Sequence, residues 1–160
     1  MKKDLLKTNC FDVEEKMIII GSCLEYMFPK IYNELNESSE NIYDVCLEET
    51  HLNMVITKLA GMIARKKCKE LTFVTVDKSP HCVQLHYVVK ELENMMDLKE
   101  IKIKNYVATN EGLVEIPIEV IGLSKNLSKF VYENDNLIIN KFESWNKLKV
   151  NKIIKLLDNF

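Results

Sequence analysis

The chain has 160 residues, 47% of them apolar, which is enough for one globular domain with a substantial core. Its 22 basic and 24 acidic residues nearly cancel, so no strong field draws it to nucleic acid or to a membrane surface. Arg65 is the sole arginine, which removes bidentate guanidinium recognition of phosphates and of guanine edges.

Residues 1–12 are charged and lack the apolar centre of a signal peptide, and no apolar run approaches the roughly 18 residues that span a bilayer. Five cysteines in such a chain suit a reducing cytoplasm better than a disulfide framework. The expectation is one cytoplasmic α/β domain over residues 1–160, with residues 1–14 as a peripheral segment.

Residues 16–20 form an apolar strand that ends in Gly21-Ser22-Cys23. Residues 24–35 are helical in pattern, with Pro29 either kinking the helix or setting a later start. Residues 42–47 are a second strand. Thr50 is placed to cap a helix whose apolar face carries Leu52, Val55, Ile56, Leu59, Met62 and Ile63. The third strand, residues 71–76, is β-branched and uncharged.

After it, Ser79 caps and Pro80 opens a helix reaching about residue 96. Residues 101–107 alternate apolar side chains with lysines, the pattern of a half-exposed or edge strand. Residues 113–121, interrupted by Pro117, offer a further strand or two, and residues 145–157 have the period of an amphipathic helix. Strands alternating with helices predict a three-layer α/β sandwich on a mostly parallel sheet, Rossmann-like or flavodoxin-like in kind. An antiparallel edge hairpin is expected within residues 101–121.

Open α/β sheets bind ligands beyond the carboxyl ends of their strands. Cys23, Cys46 and Cys82 follow the first three strands, and His51 and His81 open the second and third helices, so all face that edge. Cys23, Cys46, Cys82 and His81 would make a three-thiolate, one-imidazole site for zinc or an iron–sulfur centre. Cys82, in the first turn beside free backbone amides, is equally a candidate nucleophile, with His81 or His86 as its base. Ser22 and Ser79 would supply polar contacts to a small-molecule ligand or cofactor.

A plainer reading makes Cys46 and Cys68 small core side chains. On a helical wheel centred on Leu85, Val88, Val89, Leu92, Met95 and Met96, His81 falls near the middle of the buried face. Cys82 lies at the edge of that face, and His86 falls well off it, as an exposed polar residue. Val83 and Tyr87 on the outer side suggest a homodimer. No dinucleotide fingerprint, phosphate loop, nucleophile elbow or zinc-protease motif is present. Three readings follow: a metal or iron–sulfur protein, a thiol enzyme or redox protein, and a non-catalytic binding module.

Overall fold

The computed structural model describes residues 2–39, 41–65 and 67–124. The sheet lies within residues 1–121. In chain order the elements are β1 (Lys3–Asp4), β2 (Lys16–Gly21), α1 (Leu24–Met27), α2 (Pro29–Ser38) and β3 (Ile42–Val45). Then come α3 (Leu52–Ile63), β4 (Glu70–Val76), α4 (Pro80–Met95), β5 (Lys102–Thr109), β6 (Gly112–Glu115) and α5 (Ile118–Ser124). The sheet order is β1-β3-β2-β4-β5-β6. Every pairing is parallel except β5 with β6.

The alternation of side chains along each strand divides the core between the two faces of the sheet. Met17, Ile19, Tyr43, Leu71 and Phe73 pack with Val55, Leu59 and Met62 of α3 and with Leu85, Val89 and Leu92 of α4. On the opposite face Ile20, Ile42, Val74 and Ala108 meet Leu24 of α1 and half-buried Ile31, Tyr32 and Leu35 of α2. The expected three-layer sandwich and its antiparallel edge hairpin are therefore both present.

Several local expectations are corrected or narrowed to one of their alternatives. The segment over residues 1–14 is no bystander: β1 adds an outer strand, and Leu5 and Val13 are buried in the larger core cluster. Pro29 splits the first helical stretch in two, taking the first position of α2, where a missing N–H costs nothing. The cap position of α3 is His51, one residue after Thr50, and its side chain makes no cap bond. β5 is half-exposed without being an edge, because β6 pairs along its outer side. Residues 113–121 give one strand and one helix, since Pro117 cannot supply the amide that continued pairing requires. The helix expected over residues 145–157 lies outside the described residues. Among the described residues, no helix is long and apolar enough to cross a membrane.

Candidate functional site

The crossover from β2 places β3 on one side of it, and the crossover from β3 returns across to place β4 on the other. The loops leaving β2 and β4 therefore diverge, and the gap between them is the switch point at which such sheets bind ligands. A narrow crevice lies there. Gly21, Ser22 and Cys23 line it after β2, Cys46 after β3, and Ser79, His81 and Cys82 after β4. Its free interior is about 20 Å³, room for about one water molecule.

The wall built by β4 and α4 is tightly specified. Lys78 turns the chain in the left-handed region, at φ 65°, a conformation that costs a non-glycine residue energy. The Ser79 hydroxyl oxygen then accepts from the Cys82 backbone N–H at 3.3 Å, capping α4, and Pro80 follows as its first residue. Cys82 is left 6% exposed, its sulfur against the end of β2. A Cβ at Gly21 would stand only 2.9 Å from Cys82 Sγ, so glycine is what lets the first turn of α4 settle on β2.

Cys23 comes from the opposite wall, at the start of α1. It lines the crevice together with Cys82. Burial, then the neighbouring Cys82 and Cys46 sulfurs, push Cys23 above its ordinary value of 9.0, so it is a protonated thiol at neutral pH. Cys46 lies just beyond the end of β3 and is half-buried in the same crevice. Cys68 is different: buried away from the crevice, it donates to the Glu70 carbonyl, and burial pushes it to about 11.

His81 is half-buried and lines the crevice, not the centre of the buried stripe as the wheel implies. His86 reverses its expectation completely. It is 3% exposed, four residues along the same stripe as Cys82, whereas Met95, assigned to the core, is 62% exposed. The wheel is centred on apolar residues alone, while β4 and β5 offer polar partners beneath the helix. Asn105 Oδ1 accepts from His86 Nδ1 at 3.0 Å, and Thr75 Oγ1 lies 2.7 Å from Nε2. With Nδ1 carrying the proton, Nε2 accepts from the threonine hydroxyl, and a neutral imidazole is fully satisfied. His51 is exposed and does not line the crevice. On the outer side of α4, Val83 is exposed and Tyr87 half-buried.

A group that sequence reasoning missed adjoins the crevice. The Ser22 hydroxyl donates to Asp44 Oδ2 at 3.0 Å, and Lys2 Nζ lies 3.4 Å from the same oxygen while pairing with Glu25. The hydrogen bond from Lys2 to Glu25 is the main cause of its raised pKa. The available signal was Asp44 itself, the one charge in an otherwise apolar strand. Ser22 and Ser79, expected to contact a cofactor, thus spend polar atoms on Asp44 and on the α4 cap.

Cys23, Cys46, Cys82 and His81 share one crevice, as expected. Among the described residues, however, no group of three or more Cys, His, Asp or Glu side chains is placed to hold a metal ion. The profile of a family described as Rossmann-like domain matches residues 11–152. No curated protein and no solved structure gives a match.

Proposed function

The chain belongs to the Rossmann-like domain family, and from that premise we propose that it is a binding module acting at the β2–β4 switch point through cysteine thiols. Cys23 and Cys82 are the working pair, with Cys46 and His81 on the rim. One observation carries the reading: Cys23, Cys46 and Cys82 line one crevice at the place where this architecture gathers its ligands. The test is alkylation of the folded protein with methyl methanethiosulfonate, mapped by mass spectrometry. Half-buried Cys23 and Cys46 should be modified well before Cys68. Cys68 reacting as fast as either would overturn the proposal.

A second reading is favoured by the placement of Cys23 and Cys82 in the lining of one crevice. The pair can act as a dithiol: a small disulfide such as oxidised glutathione accepts two electrons and two protons. The two S–H bonds break, a Cys23–Cys82 disulfide forms, and two reduced glutathione molecules leave. Loss of these two thiols alone, with Cys46 and Cys68 still free, is the expected outcome. A mixed disulfide that persists on Cys23 would exclude it.

A further inference from the structure

We propose that a second cavity, between α4 and β5, binds a small neutral ring compound that carries a hydrogen-bond acceptor, of the aromatic carboxamide class. Val89 and Glu93 of α4, Ile103 and Asn105 of β5, and Ile118 at the start of α5 enclose it. Among the described residues, its lining and that of the thiol crevice have none in common. Ile103 and Asn105 stand two residues apart on one face of β5, and Pro117 turns the chain after β6 so that Ile118 closes the far side.

The size selects a single ring. The free interior is about 160 Å³, against about 20 Å³ in the thiol crevice. An apolar cavity of about 150 Å³ holds benzene. Val89, Ile103 and Ile118 supply the apolar walls such a ring needs.

Asn105 selects the acceptor. Its side chain is 4% exposed, and its Oδ1 is committed to the His86 Nδ1 proton at 3.0 Å, which leaves the Nδ2 donors. Among the described residues no group accepts from Nδ2, yet the one sealed side-chain polar atom without a partner is Asn36 Oδ1. Nδ2 is therefore reachable, and the cavity that Asn105 lines is the way to it. A buried donor left unpaired is costly, and a carbonyl oxygen seated in the cavity removes that cost.

The charges at the mouth select against an anion. Lys104 is paired with Glu70 at 2.8 Å and Glu93 with Lys90 at 3.2 Å. Glu115 also lines the cavity and forms no salt bridge among the described residues, which leaves one negative charge in excess. A neutral carbonyl compound meets both demands.

The test is an NMR titration of the isotope-labelled full chain with benzamide, compared with benzoate and benzylamine, which carry the same ring. Benzamide should give saturable shifts of the Asn105 side-chain amide and of the Ile103 and Ile118 methyl groups. Benzoate should bind about tenfold more weakly, because a desolvated carboxylate finds only a neutral donor there. Benzylamine, an ammonium with no acceptor for Nδ2, should also bind about tenfold more weakly. Asn105→Asp keeps an oxygen for His86 and replaces the donor by a second acceptor, so it should reverse the order of benzamide and benzylamine. Ile118→Phe fills the cavity without touching the Asn105–His86 bond and should abolish the shifts. Circular dichroism melts identify a variant that fails to fold, and the other variant with the three ligands then decides. Absence of saturable shifts at Asn105, or their survival in a folded Ile118→Phe protein, would overturn the site. Benzoate or benzylamine binding as well as benzamide, or an unchanged order in folded Asn105→Asp, would overturn the ligand class.

Discussion

After β4 the chain reverses through a left-handed Lys78, is capped by Ser79 and enters a helix of 16 residues. After β2 it enters a helix of 4 residues with no side-chain cap. The first junction is fixed from several directions: the cap, the apolar stripe of α4, and the His86 bonds to β4 and β5. The second is held by Leu24 in the smaller cluster, by the Ser22 bond to Asp44 and by the Lys2–Glu25 pair. The helix that follows adds only half-buried side chains to that cluster, since α2 has no fully buried residue. Cys82 is therefore an anchor and Cys23 an adjustable partner. A site assembled this way keeps one thiol in place while the other is held less tightly.

The largest test of that contrast is Leu92→Ala on α4, fully buried in the larger cluster, against Leu35→Ala on half-buried α2. Leu92→Ala should cost about 2–5 kcal/mol, the range for truncating a buried leucine. Leu35→Ala should cost clearly less, and equal losses in urea denaturation would erase the contrast.

Gly21→Ala comes next. The added methyl meets Cys82 Sγ at 2.9 Å, in a place where neither strand nor capped helix yields easily. A loss of about 1–3 kcal/mol is expected, as for other overpacked positions. Alkylation of Cys82 should also quicken as its sulfur is displaced; unchanged stability and unchanged labelling together would show that the junction gives freely.

Ser79→Ala removes the α4 cap and should lower stability by about 1 kcal/mol. Cys23→Ala at the cap position of α1 should cost less, because no side-chain cap bond is made there. Thermal melts of the two variants decide between them.

The smallest effect is pH-dependent. Burial lowers the His86 pKa below its ordinary 6.5, with the Asn105 bond acting in the opposite sense. Above 6.5 the imidazole is neutral in both folded and unfolded chains. As pH falls below 6.5 the unfolded chain binds a proton that the folded one resists, so stability declines until the folded imidazole itself protonates. Urea midpoints should therefore fall more steeply on acidification in wild type than in His86→Gln. Parallel curves would show that burial of His86 does not govern the slope.

Much of the framework is legible in the order of amino acids. The strands over residues 16–20 and 71–76 announce themselves because both faces of a central parallel strand are covered, which leaves a continuous apolar run. The β4–α4 junction is equally legible, because Ser79 and Pro80 act locally, through a cap and a fixed φ. The meeting of Cys23, Cys46, Cys82 and His81 follows from the rule that parallel strands deliver their loops to one edge.

His86 escapes such reasoning because a helical wheel ranks residues by hydropathy, and a buried imidazole depends on partners far along the chain. Thr75 and Asn105 stand 11 and 19 residues away and are brought beneath α4 by the pairing of β4 with β5. The N-terminal segment escapes it for a similar reason, since a strand of two residues carries no periodicity of its own. Local steric and capping preferences, together with the apolar period, are properties of short stretches, and they determined the elements and their alternation. Which thiol is pressed against Gly21, which serine is occupied by Asp44 and which histidine is buried depend on contacts across strands. Those contacts exist only once the sheet is assembled, and the tertiary structure alone decided them.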